Sequence, residues 1–237
     1  MRNLRVLDLF SGAGMFSLGL ERTGGFETVA FCEIDPYARK VLAQHWPGVP
    51  IYDDVTTARF IEPVDVVTAG FPCQDISIAG KGAGLAGDNS GLFWNILRAV
   101  RMVGRPRLLL ENVAALLNRG MGSVLGALAE IGYDTEWHCI PASAIGAPHN
   151  RDRVWIIADP QRDEQPREKP CVGPFGRMGW VEQSLAWDGG WENALSSLRG
   201  VDDGNARYVD RTDLTRNALV PQIPEMIGRA ILKNARP

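Results

Sequence analysis

Strand-like and helix-like patterns alternate along this chain, which predicts an α/β fold: a doubly wound, mostly parallel sheet with a small irregular lobe appended. Three observations carry that expectation. Short apolar runs ending in turn residues recur at 5–10, 28–32, 64–69 and 107–111. Helical spacing fills most of the intervals between them. From Asp159 onward periodicity stops and Pro, Gly, Arg, Asp, Glu and Trp take over until Pro221.

The first strand, Arg5–Phe10, is ended by Ser11-Gly12-Ala13-Gly14, and residues 15–22 then have helical spacing up to Gly24-Gly25. Thr28–Cys32 reads as the second strand, closed by Glu33-Ile34-Asp35. Pro36 suits the first turn of a helix reaching about His45. A short strand near Val49–Tyr52 leads to Asp53-Asp54, and the strand at 64–69 ends in Gly70-Phe71-Pro72-Cys73-Gln74. Residues 75–90, with Gly80, Gly82, Gly84 and Gly87, form a loop too long for a plain connector. A helix over Leu92–Met102 precedes the strand Arg107–Glu111. Asn112-Val113 is expected to open a further helix to about Ile131, with a break at Gly120–Gly122. Tyr133–Ile140 and Arg153–Ala158 close the sheet as a pair of strands. Near the end, Ile223, Met226, Ile227 and Ile231 mark one face of an amphipathic helix. The chain thus divides into a main domain, 1–158 plus 212–237, and a small lobe, 159–211.

Composition excludes little but is consistent. The 237 residues are 45% hydrophobic and 22% charged, with a net charge of −3, ordinary for a globular protein. No segment approaches the roughly 18 apolar residues that a membrane span needs, so no membrane association is expected. Cys32, Cys73, Cys139 and Cys171 form no C-x-x-C pair, which argues against a metal site and for a reducing, cytoplasmic setting. Net charge is a weak guide to nucleic-acid binding, because a few placed cations suffice to hold phosphates.

The loop Asp8–Gly14 between strand and helix can surround a ligand with backbone amides. Glu33 ends the next strand 21 residues after Gly12, the offset at which a carboxylate grips ribose hydroxyls. The glycines, Gly12, Gly14 and Gly19, are spaced G-x-G-x₄-G rather than in the dinucleotide pattern. The loop holds no Lys or Arg to answer a triphosphate. An adenosine-type cofactor with little phosphate fits better than NAD or ATP, and Asp54 could meet its adenine amino group. A tight turn plus a surface Glu is the alternative.

Cys73 and Glu111 both stand at the carboxyl ends of predicted parallel strands, a rim that open α/β sheets share. A thiolate is a strong nucleophile, and a desolvated, protonated carboxyl beside it can give a proton to a ring nitrogen. Together they suit covalent addition to an electron-poor ring. A buried, inert cysteine and a helix-capping Glu111-Asn112 are the alternatives. Alternation puts Arg151 and Arg153 on one strand face, where they could hold a phosphate. A solvated charged strand entry is the rival reading.

In this order the segments resemble the DNA (cytosine-5)-methyltransferase family over roughly 4–158 and 205–232. The matching segments are Asp8–Gly14, Glu33, Asp54, Gly70–Gln74, Glu111-Asn112-Val113, Arg151-x-Arg153 and Asn217–Gly228. Departures are Met15 where a second adjacent glycine is common, His149 before the arginine pair, Arg216 before Asn217, and a recognition lobe of only about fifty residues. What the resemblance implies is an S-adenosylmethionine-dependent methyltransferase fold and a cytosine rotated out of duplex DNA. In that reading Cys73 adds to ring carbon 6, Glu111 serves N3, and Arg151 and Arg153 hold the nucleotide. S-adenosylmethionine is the donor and S-adenosylhomocysteine the product. The cofactor set is Asp8, Phe10, Ser11, Gly12, Ala13, Gly14, Glu33, Ile34, Asp54, Val55, Gly70, Pro72, Asn217 and Ala218. DNA contacts fall to Gln74, Ser77, Lys81 and Asn112. The 159–211 lobe becomes the target-recognition region, the acting unit a monomer, and a cognate restriction endonuclease a companion. Alternatives are the family branch acting on tRNA cytosine, and a non-catalytic cofactor- and DNA-binding relative.

Overall fold

The computed structural model describes residues 2–72, 91–145, 151–161 and 219–234. Strands β1 (Leu4–Leu9), β2 (Phe26–Cys32), β3 (Ile51–Tyr52), β4 (Val66–Gly70), β5 (Arg107–Val113), β6 (Tyr133–Pro141) and β7 (Asp152–Pro160) form one sheet. Their order is β3-β2-β1-β4-β5-β7-β6. All pairings from β3 to β5 are parallel, and β7 alone runs against its neighbours. Winding reverses between β1 and β4, the switch point at which open α/β sheets leave a crevice for ligands.

Each central strand is apolar on both faces, as a buried parallel sheet requires. Leu7, Leu9, Val67, Ala69, Leu108 and Leu110 face one way, onto helices α3 (Leu92–Met102) and α5 (Met121–Glu130). Val6, Val66, Leu109 and Trp155 face the other way. There they meet Phe16 and Leu20 of α1 (Met15–Glu21) and Ile223, Ile227 and Ile231 of α6 (Gln222–Asn234). Phe16 and Trp155 stack edge to face with ring centroids 5.4 Å apart. Helix α2 (Pro36–His45) is started by Asp35, whose carboxylate accepts from the amides of Tyr37 (2.7 Å) and Ala38 (3.4 Å), with Pro36 in the first turn. That is N-capping by an aspartate.

One expectation is corrected. Asn112-Val113 does not open a helix; both residues continue β5, because β7 pairs Val154 with Asn112 and Arg153 with Val113. A strand with a ladder partner on that side keeps its extended backbone two residues past Glu111. The helical stretch that follows is divided at Gly120 into α4 (Leu116–Arg119) and α5, so the expected break stands. Among the described residues no helix is long and apolar enough to cross a membrane. No group of His, Cys, Asp and Glu among them could hold a metal ion.

Candidate active site

The loop after β1 is held by a buried carboxyl group. Asp8 accepts from the hydroxyl of Ser17 on α1 (2.8 Å) and from that of Thr68 on β4 (2.7 Å). It also accepts from the Ser17 backbone amide. Gly14 stands at the N-cap of α1 with no side chain to satisfy the first turn, so Asp8 supplies the acceptor from a neighbouring strand. Burial pushes its pKa up to about 7, with Glu33 adding to the rise and the hydroxyl bonds opposing it. Ser11 closes the loop against β2, its hydroxyl donating to the Asp8 carbonyl at 2.6 Å. Phe10 adopts φ 54°, uncommon for a residue with a side chain.

The glycines divide their work. Gly12 (φ 53°) has open space where a Cβ would stand, and its amide donates to the Glu33 carboxylate at 2.7 Å. The second Glu33 oxygen accepts from the Asp35 amide at 2.9 Å. Gly14 (φ 77°) has no room for a side chain: a Cβ there would stand 2.6 Å from the Trp46 ring. That indole is fixed by donation to Glu21 at 2.8 Å, so the loop rests on an aromatic buttress from the end of α2. Arg39 reaches back to the carbonyls of Glu33 (3.1 Å) and Ile34 (2.8 Å) and steadies the turn that carries the carboxylate.

At the other side of the switch point Gly70 of β4 is in register with Glu111 of β5. A Cβ at Gly70 would lie 3.4 Å from the Glu111 carboxylate. Glu111 pairs with Arg153 at 2.9 Å. Burial raises its pKa, and the Arg153 and Arg151 guanidinium groups hold part of that rise back. Arg151 is half-buried, and its pKa is lowered by burial and by Arg153. β7 thus brings Arg153 onto the carboxylate, and Arg151 stands just ahead of that strand.

Asp8, Phe10, Ser11, Gly12, Ala13, Glu33, Gly70 and Glu111 line one cleft of about 240 Å³. Sequence reasoning missed five further lining residues, Met15, Phe16, Asp35, Ala38 and Leu219. Asp35 left the signal of a helix cap, Met15 that of a departure beside the glycine loop, and Leu219 lies in the matched segment Asn217–Gly228; Phe16 and Ala38 left none. Four carboxyl groups and no Lys or Arg line this cleft among the described residues. Ile34, Asp54, Val55 and Pro72 are not among the lining residues. Ile34 and Pro72 are exposed, and Val55 is buried, its carbonyl accepting from Arg98. Asp54 accepts from the amide and hydroxyl of Thr56, both at 2.7 Å, which lowers its pKa. Asn112, expected at DNA, is buried instead. Its amide donates to the Phe71 carbonyl at 2.9 Å and its oxygen accepts from the Val113 amide at 2.8 Å. Both ends are engaged inside the protein, tying β5 to the segment that leads to Cys73. Cys73, Gln74, Ser77, Lys81, Asn217 and Ala218 lie outside the described residues.

A parallel sheet with one reversed strand beside its edge, and a cleft at its switch point, is the fold of the S-adenosylmethionine-dependent methyltransferases. The crystal structure of S. pombe Dnmt2 methyltransferase has this fold, with a TM-score of 0.55 and 21% identity over 69% of this chain and 53% of that one. The chain belongs to the C-5 cytosine-specific DNA methylase family, whose pattern matches residues 4–172. It is 40% identical over 212 residues to the Type II methyltransferase M2.BsuMI of Bacillus subtilis (strain 168), covering 84% of this chain and 53% of that protein. It is 36% identical over 171 residues to the Type II methyltransferase M.CviJI of Paramecium bursaria Chlorella virus IL3A, covering 70% and 46%. The chain therefore spans about half the length of these curated relatives.

Two predictions follow from this geometry. The native state keeps a proton on Asp8 up to about pH 7, whereas an unfolded chain gives it up near 3.8. Ionisation then opposes folding, so Asp8 lowers stability as pH climbs from about 4 to about 7. Urea unfolding of Asp8→Asn at pH 5 and pH 8 should show the variant gaining on the wild type at the higher pH; a constant gap contradicts this. Separately, Asn112→Ala should cost about 2 kcal/mol in urea unfolding by stranding the Phe71 carbonyl and the Val113 amide. An unchanged midpoint would contradict the tie.

Proposed function

We propose that this chain transfers a methyl group from S-adenosylmethionine to carbon 5 of cytosine in DNA. The observation that carries the reading is the cleft lined by Asp8, Glu33, Asp35 and Glu111 and by no cation among the described residues. It runs from the glycine loop to Gly70 and Glu111, so a donor site and a reactive site share one wall. Its charge fits a ligand bearing a sulfonium and an ammonium group, and opposes the phosphates of NAD or ATP. When bound, S-adenosylmethionine supplies a methyl group activated by positive sulfur.

The chain's own groups then have distinct tasks. Glu33, already fixed by the Gly12 and Asp35 amides, accepts from ribose hydroxyls with its remaining lone pairs. Phe10 offers its ring to the cofactor wall. Cys73 follows Gly70 by three residues in sequence, and Gly70 is in register with Glu111. The Cys73 thiolate forms a bond to carbon 6 of a cytosine rotated out of the duplex. Glu111, whose raised pKa favours the protonated form, gives its proton to N3 as electrons move into the ring. That makes carbon 5 the nucleophile. Carbon 5 takes the methyl group as the donor's methyl–sulfur bond breaks, leaving the neutral thioether. Water then takes the carbon 5 proton, the cysteine sulfur–carbon 6 bond breaks toward sulfur, and the N3 proton returns to Glu111. Arg153 orients Glu111, and Arg151 beside it serves a phosphate. Gln74, Ser77 and Lys81 are proposed to meet DNA, and Asn217 and Ala218 to reach the cofactor. The same reading carries a monomer as the acting unit and a cognate restriction endonuclease as companion.

Labelled methyl transfer to duplex DNA and to tRNA, run side by side, tests this. Wild type should label carbon 5 of cytosine in DNA alone. Cys73→Ala should be inactive and Glu111→Gln slower by at least roughly a hundredfold. Labelling of tRNA alone, or equal activity of Cys73→Ala, contradicts the proposal.

A further inference from the structure

The third glycine of the G-x-G-x₄-G pattern serves neither a turn nor a ligand. Gly19 lies inside α1, one turn after Met15, which lines the cleft. A Cβ at Gly19 would stand 2.2 Å from the Pro221 carbonyl oxygen, 2.7 Å from Pro224 Cγ and 3.1 Å from the Glu225 amide. Two of these are backbone atoms, which no rotamer change can move aside. The Pro221 carbonyl also accepts the Glu225 amide at 3.1 Å, the first bond of α6. Two residues earlier, Leu219 lines the cleft and packs against the cluster of Ala13, Met15 and Val41. One helical face therefore carries the cleft wall at its start and the seat of the C-terminal segment one turn on.

We propose that Gly19 is a positioning residue for the cofactor: its bare backbone seats the turn at Pro221 on α1, and that seat sets Leu219 as a wall of the cleft. The inference rests on the reading of this cleft as the S-adenosylmethionine site. A methyl group at position 19 forces the carbonyl back by roughly 1 Å to reach ordinary contact. The displacement passes to Leu219 through Val220, whose backbone is short and whose side chain is buried among the α1 and α6 residues. Gly228 fixes the next turn of α6, with Leu20, Thr23 and Phe26 side chains 3.0–3.2 Å from where its Cβ would be. A substitution there presses on side chains rather than backbone, and the disturbance is milder.

Calorimetric binding of S-adenosylhomocysteine to the full chain, with steady-state kinetics alongside, tests this on Gly19→Ala, Leu219→Ala and the double variant. Gly19→Ala should weaken binding by roughly tenfold. It should raise KM for the methyl donor by a similar factor, while kcat and KM for DNA stay within roughly twofold of wild type. The double variant should be no weaker than the weaker-binding single, because both act on one wall. Unchanged affinity in a folded Gly19→Ala, or losses that multiply in the double variant, overturns the inference. Should Gly19→Ala not fold, Gly228→Ala decides: a loss of roughly threefold supports the seat, and wild-type affinity overturns it. Failure of the wild type itself to bind the ligand overturns the cofactor reading, a result distinct from any variant's.

Discussion

Carboxyl groups crowded into one crevice are the constraint on which this structure turns. Asp8, Glu33, Asp35 and Glu111 line the same cleft at the point where the sheet reverses its winding. Burial raises the pKa of a carboxyl group, and a like charge beside it adds to the rise. Burial lifts both Asp8 and Glu111, and Glu33 adds to the rise at Asp8 alone. The fold relieves the rest locally. Hydroxyls of Ser17 and Thr68 hold Asp8, backbone amides hold Glu33, and Arg153 holds Glu111. In the proposed function a cationic ligand would complete the neutralisation, whereas a phosphate-bearing one would meet repulsion.

The sheet explains why residues so far apart in sequence act together. Parallel strands deliver their carboxyl ends to one rim, which places Asp8, Glu33, Gly70 and Glu111 side by side. The reversed strand does the opposite. It brings Arg153 at its amino-terminal end to the same rim, in register with Val113 and within reach of Glu111. A parallel β7 would have carried that arginine to the far edge of the sheet. The antiparallel strand is thus what lets one rim hold both acid and guanidinium.

Much of this was legible in the sequence because it follows from local chemistry. Apolar runs gave the central strands, Pro36 gave the start of α2, and the glycine loop with Glu33 marked one side of the cleft. What escaped depends on partners distant in sequence. Asn112 reads as the opening of a helix until β7 is seen to pair with it. Gly14 and Gly19 look like ligand glycines, yet Trp46 and Pro221 occupy the space that their side chains would need. Ser17 and Thr68 look like incidental hydroxyls in apolar segments, and only the packing of α1 on β1 and β4 turns them toward Asp8. Asp35, Ala38 and Leu219 reach the cleft by helix placement, which spacing alone does not encode.

The most direct test of the acidic cleft is equilibrium titration of the chain with S-adenosylmethionine, and separately with ATP and NAD. Saturable binding of S-adenosylmethionine at one site, weakened at least roughly tenfold by Glu33→Ala, with no binding of the two anionic nucleotides, is the predicted result. Tight binding of ATP or NAD, or an affinity for S-adenosylmethionine indifferent to Glu33, would contradict it.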